Sequence, residues 1–212
     1  MLTLFDAHTL ITYVLAVIVL VLTPGPGQAL IIAYTIKGGS KHGVLAALGL
    51  EFGTWTNTIA AALGLSAILA TSAVAFAAIK FAGALYLLFL GVRLLIEKKL
   101  PAQTKAPNAQ SSARVLAQAT ATGILNPKVA LFILAFLPQF VRPERGATVI
   151  QFLILGGILS FFGFVGDSLL AVMTGYLGDL LSRKTRFQQW RQRITGLMLI
   201  TIGVRLAFVR RT

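Results

Sequence analysis

Apolar residues run almost unbroken through six windows of the chain: about Leu10 to Ile36, Gly43 to Leu69, Ser72 to Ile96, Val115 to Val141, Thr148 to Tyr176 and Ile194 to Val209. A helix that crosses a bilayer needs about 20 such residues, and a helix apolar on all sides has no face to offer water. The pattern therefore predicts an all-α membrane protein with six transmembrane helices. The longest polar stretch, "EKKLPAQTKAPNAQSSAR" from Glu97 to Arg114, divides the chain near its middle. Its Pro, Ser, Gln and Lys mark a loop. Three windows lie on each side, so the expected units are 1–96, a linker at 97–114, and 115–212.

The first window is interrupted. In "VLTPGPGQALIIAY", Val21 to Tyr34, two prolines and two glycines stand together at Pro24, Gly25, Pro26 and Gly27. Proline removes a helical hydrogen bond and clashes with the preceding turn at about 3 kcal/mol, and glycine adds about 1 kcal/mol. Freed backbone groups at membrane depth are tolerated only against protein or a water-filled cavity. The fourth window carries a second break at Asn126 and Pro127. Both breaks are flanked by amide side chains, Gln28 and Asn126, and together they predict broken helices 1 and 4 whose exposed backbone lines a site.

The two halves also echo each other. "LGVRLLIEKK" closes the third window and "IGVRLAFVRR" the sixth, and a weaker echo sets Pro24 beside Pro127. Because each half has an odd number of spans, a duplicated second half would be inverted, as in transporters built from two inverted three-helix repeats.

Composition agrees with the pattern: 57% of the 212 residues are hydrophobic and 12% are charged, with a mean hydropathy of +0.84. No Lys or Arg precedes the first window, so no signal peptide is expected. The net charge of +13 is unevenly placed. Eleven Lys and Arg collect at Lys37 to Lys41, Lys98 to Arg114 and Arg183 to Arg193, against Arg142, Arg145, Arg210 and Arg211. By the positive-inside rule the rich side is cytoplasmic and both termini face outward. The basic loops then serve topology and contact with anionic lipid, and no RNA-binding pattern accompanies them, so no nucleic-acid partner is expected.

Few charges lie within the windows. Glu51 is about eight residues, or about 12 Å, into the second window, and Asp167 is about nine residues from the cytoplasmic end of the fifth. A carboxylate at such depth is costly, about 2.5 to 3.5 kcal/mol on insertion scales, and is a functional candidate by default. Thr54, Trp55 and Thr58 follow Glu51 at helical spacing, predicting one polar stripe. Ser160 and Gly163 share the face of Asp167, and Gly49 and Gly53 form a GxxxG pair suited to close helix packing. Lys128, near the middle of the fourth window, lies too deep to snorkel and needs a buried partner or an anionic ligand. Lys80, Arg93 and Arg205 lie nearer to span ends.

Cysteine is absent, and His8 and His42 stand apart, so no metal site or cofactor is expected. "KGGSK" lacks Walker A spacing, and neither a Gly-x-Ser-x-Gly elbow nor a His-Glu-x-x-His helix occurs. Enzyme readings lose their support, including a membrane-embedded enzyme acting on lipid. A cation or metal exporter of similar architecture would use the same acids, but carboxylates and histidines are too scarce for a tight site.

Three segments, "LTPGPGQALI", "GILNPKVALFILAFLPQFV" from Gly123 to Val141 and "GALYLLFLGVRLL" from Gly83 to Leu95, resemble the LysE/RhtB family of bacterial amino-acid exporters. The resemblance covers nearly the whole chain. It implies a multi-pass permease of the bacterial cytoplasmic membrane that exports amino acids or related metabolites, coupled to protons. Members commonly carry an acidic or polar residue after the second glycine of span two; here Thr54 takes that place and the acid is Glu51. The expected partners are a small amino-acid substrate, protons and membrane lipid, and a homo-oligomer is compatible with the chain. On this reading the amides of Gly27 and Gln28 receive the substrate carboxylate with Lys128 beside it. Glu51 or Asp167 receives the ammonium or the coupling proton.

Overall fold

The structure is a computed structural model and describes residues 4–71, 73–96 and 111–177, with positions 193, 196, 197, 200, 201 and 204. Most of the predicted linker and most of the sixth window, including Arg205, lie outside the described residues, as does the side chain of Lys80. Every regular element among the described residues is helical: α1 (Ala7–Leu22), α2 (Pro26–Thr71), α3 (Ala73–Ile96), α4 (Ser112–Ile124), α5 (Pro127–Ala135) and α6 (Thr148–Leu177). Two 3-10 turns, Leu137–Phe140 and Pro143–Arg145, join α5 to α6.

Among the described residues each of the first five windows is helical, with differences at the edges. The first window divides into α1 and the start of α2, which meet at 53°, and the fourth into α4 and α5, which meet at 46°. Helix α6 is long and apolar enough to cross a membrane by itself. Helix α4 begins at Ser112, inside the stretch assigned to the linker. The residue that matches Pro127 is Pro26 rather than Pro24: each opens the helix after its break, where a missing N–H costs nothing.

Helix α2 is two arms. At Gly39 the backbone takes φ 78°, ψ 175°, a region open to glycine and strained for other residues. The chain doubles back there, so that Gly43 lies against Thr35 and Gly27 against Leu50.

Small residues set the helix contacts, as expected where lipid removes the usual hydrophobic drive. Gly49 and Gly53 pack on Ala119 and Gly123 of α4, with backbone against backbone at Gly53 and Gly123. Helix α6 runs antiparallel to the second arm of α2, matching Gly156 to Thr58, Gly163 to Glu51 and Gly175 to Ser40. Gly83 of α3 lies on Ala135 of α5. Apolar stripes face inward: α1 buries Tyr13, Ala16, Val17 and Leu20 while Ile11, Leu15, Ile18 and Leu22 face out.

Two apolar clusters result. One, rich in aromatics, gathers Phe5, Tyr13, Phe132, Phe136 and Phe140 toward the end that holds the α5–α6 connection. The other, rich in alanine, gathers Leu30, Ile31, Tyr34, Ala46, Ala47, Ala119 and Ala171 toward the Gly39 turn. Between them lie both helix breaks.

Candidate functional site

A helix that stops inside a membrane leaves its last carbonyls without intrahelical donors. At the end of α1 the carbonyls of Val19, Leu20, Val21 and Thr23 are met by Thr23 itself and by two side chains from beyond the helix. The Thr23 N–H reaches the carbonyls of Val19 and Leu20 at 3.1 Å each, and its hydroxyl donates to Val19 at 2.8 Å. Lys128 Nζ donates to the carbonyls of Leu20 at 3.0 Å and Thr23 at 2.8 Å. Gln28 Nε2 donates to the carbonyl of Val21 at 2.7 Å. Two local amides are missing, because Pro24 and Pro26 have none. The lysine stem crosses the face of Gly25, where a Cβ would come within 3.4 Å of Nζ.

The second break is built in the same way. Asn126 caps α5, its side-chain oxygen accepting from the Lys128 N–H at 3.1 Å. Asn57 of α2 reaches across to the carbonyls of Gly123 at 3.4 Å and Ile124 at 3.3 Å. Lys128 thus begins a helix at one break while its side chain ends a helix at the other.

Two carboxylates face these breaks. Glu51 is 8% exposed and accepts a 2.7 Å hydrogen bond from Ser160. Gly163 makes room for it, since a Cβ there would stand 2.5 Å from Oε1. Asp167, one turn further along α6, lies 3.4 Å from Gln28 Nε2. Gly27, Gln28, Glu51, Thr54, Asn126, Lys128 and Asp167 all line one cavity, closed by Leu20, Val21, Leu50, Gly123, Val129, Leu159 and Gly163. Its titratable lining is two carboxyl groups and one lysine amine, in a site of low dielectric, where charge interactions are strong.

Of the positions named from the sequence, Pro24, Gly25, Pro26 and Pro127 shape the breaks without lining the cavity. The structure adds to three of these readings. Glu51, Thr54 and Thr58 are buried, whereas Trp55 lies 36% exposed at the outer edge of their stripe, in an outward groove that it shares with Phe52, Phe161 and Phe164 and with Glu51 and Ser160. Ser160 and Gly163, on the face of Asp167, meet Glu51 across the helix pair, where the helices approach closely. Lys128 has the buried partners it needs, the carbonyls of Leu20 and Thr23 among them. Asn57 was missed, although it continues the Gly49, Gly53 stripe by one more turn toward α4.

The LysE type translocator family model matches residues 18–210. An uncharacterized membrane protein of Bacillus subtilis (strain 168), YrhP, is 31% identical over 93% of this chain and 98% of its own length. A leucine efflux protein of Enterobacter sp. (strain 638) is 32% identical over 92% and 93% of the two chains. A leucine efflux protein of Klebsiella pneumoniae is 26% identical over 96% of each. No solved structure matches significantly.

Proposed function

The chain belongs to the LysE type translocator family, a family of transporters, and from that premise we propose that it exports neutral aliphatic amino acids, with leucine as the first to test, in exchange for protons across the bacterial cytoplasmic membrane. The observation that carries this reading is the cavity between the two helix breaks, which joins backbone polarity, an ammonium and two carboxylates in one enclosure. A zwitterion needs complementary charges a few ångströms apart, and the names of the leucine efflux relatives suggest the side chain.

On this proposal the two halves, 1–96 and 115–212 joined by 97–114, are inverted three-helix repeats that rock about the site. A broken first helix in each half and a proline opening the helix after each break support that arrangement. Glu51 and Asp167 divide the work: one meets the substrate ammonium and the other carries the proton. The orientation places the Lys37, Lys41 and Arg114 end in the cytoplasm, where positive charge accumulates.

Counterflow of labelled leucine in proteoliposomes, with and without a pH gradient, tests the reading. Glu51→Gln and Asp167→Asn should separate. The variant lacking the proton carrier keeps exchange but ignores the gradient, and the variant lacking the ammonium partner loses both. Full rates for both variants in both assays would sink the proposal.

A further inference from the structure

The carbonyl oxygens of Leu20 and Thr23 hold an ammonium group, and that group belongs to the protein itself. Lys128 Nζ sits 3.0 and 2.8 Å from them and lines the same cavity as Glu51 and Asp167. The lysine comes from α5, in the second half of the chain, whereas the carbonyls end α1 in the first. Carbonyls at a helix C-terminus carry the negative end of the dipole and favour cations. The donors they accept here are of the kind that a free amino acid also presents.

We propose that the carbonyl end of α1 is an ammonium-binding subsite, occupied in this conformation by Lys128 and, during transport, by the ammonium of the substrate. This deepens the export reading and rests on it for the identity of the substrate. The subsite takes primary ammonium groups, which offer several N–H donors to converging oxygens. A displaced Lys128 keeps its charge within the cavity, where the carboxylate of the same substrate becomes its partner. The exchange preserves charge, because one ammonium leaves the carbonyls as another arrives and the zwitterion adds none.

Two features suit such an exchange. Lysine is a point charge on a flexible four-carbon stem, so Nζ can swing without moving α5, whose start is fixed by the Asn126 cap. Gly25 has no side chain beside that stem, and a Cβ there would stand 3.4 to 3.6 Å from its last three atoms. Because Lys128 joins the two halves through these hydrogen bonds, its displacement also releases one tie between them. Substrate entry and the freedom of the halves to move are thereby the same event.

The test uses Lys128→Ala, which empties the subsite. Methylammonium should raise the Tm of this variant more than tetramethylammonium does, since both are monocations but only the first has N–H donors. In the wild-type protein the two cations should act alike. No difference between the cations in the variant would overturn the proposal, whether or not leucine is exported, because this reading involves no transport. Should the variant fail to fold, the wild-type protein supplies the second measurement: acetylation of Lys128 by acetic anhydride, followed by mass spectrometry. L-leucine should increase this labelling and 4-methylpentanoate, which lacks the amine, should not. If counterflow shows that leucine is carried and labelling stays unchanged, the exchange does not occur. Absence of leucine counterflow would instead strike at the export reading, leaving the methylammonium result to decide the subsite.

Discussion

Glu51 keeps its place through what its neighbours lack as well as what they donate. Gly163 contributes an absent side chain and Ser160 a hydroxyl at 2.7 Å. Gly163→Ala should therefore act on the carboxylate, because the new methyl would stand 2.5 Å from Oε1. Overpacking of this kind costs about 1–3 kcal/mol, and leucine counterflow should fall with it. Placing the same change in a Glu51→Ala background removes the clash, so the two substitutions should couple by more than about 0.5 kcal/mol in a denaturation cycle. Equal losses in both backgrounds would show that the glycine serves only the packing of α6. The acids themselves were legible in the sequence, since a charge in an apolar window is rare enough to be conspicuous. Their partners were not. Sequence spacing places Ser160 and Gly163 on the face of Asp167, but it is the antiparallel register of α6 against α2 that turns that face toward Glu51.

At the scale of the helix, the breaks and their flanking amides, Gln28 and Asn126, were readable, and the caps that cross from other helices were not. Pro24 to Gly27 and Asn126 to Pro127 announce the interruptions locally, whereas Lys128 and Asn57 arrive from other helices and leave no pattern near the ends they cap. This arrangement reverses a simple expectation about healing the first break. Alanine at Pro24, Gly25, Pro26 and Gly27 together raises helix propensity, and a continuous helix would direct the N–H groups of positions 24, 25 and 27 to the carbonyls of Leu20, Val21 and Thr23. Those are the acceptors that Lys128 and Gln28 use now. An ammonium deprived of its acceptors in a membrane site is strongly unfavourable, so the quadruple variant should melt below the wild type despite its better helix. Adding Lys128→Met should recover part of the loss. A quadruple variant more stable than the wild type with Lys128 intact would show that the lysine's hydrogen bonds contribute little.

At the scale of the molecule, the site lies between two differently built ends. At one, Asp6 accepts a 2.7 Å hydrogen bond from Arg145, with Arg142 at 3.7 Å. The fully buried Gln151 ties that connection down by accepting from the Arg142 N–H and donating to the carbonyls of Arg142 and Gly146. The hydrogen bond from Arg145 holds the Asp6 carboxyl below its ordinary range, aided by the charges of Arg145, Arg142 and His8 and opposed by desolvation. A depressed value means the contribution is present above the unfolded pKa and is lost as pH falls through the folded one. Melting followed from pH 7 into the acid range below about pH 4 should show a small destabilisation that Asp6→Asn flattens; an identical acid limb in the two proteins would remove Asp6 from the account. The same contact fixes relative sidedness without appeal to charge counting. Asp6 and Arg145 touch, so positions 6 and 145 must lie on one side of the membrane. Lys41 and Arg114 lie at the far end, beside the Gly39 turn and the start of α4. The natural absence of cysteine makes Arg145→Cys, Glu144→Cys, Lys41→Cys and Arg114→Cys clean single labels for an impermeant maleimide in intact cells. Positions 144 and 145 should react together from outside, and 41 and 114 only after permeabilisation. Uniform reversal of the four would overturn the positive-inside orientation and leave the fold intact, whereas a split between 41 and 114 would contradict the fold, because Gly49 and Gly53 pack on Ala119 and Gly123 in parallel and carry both positions to the same end.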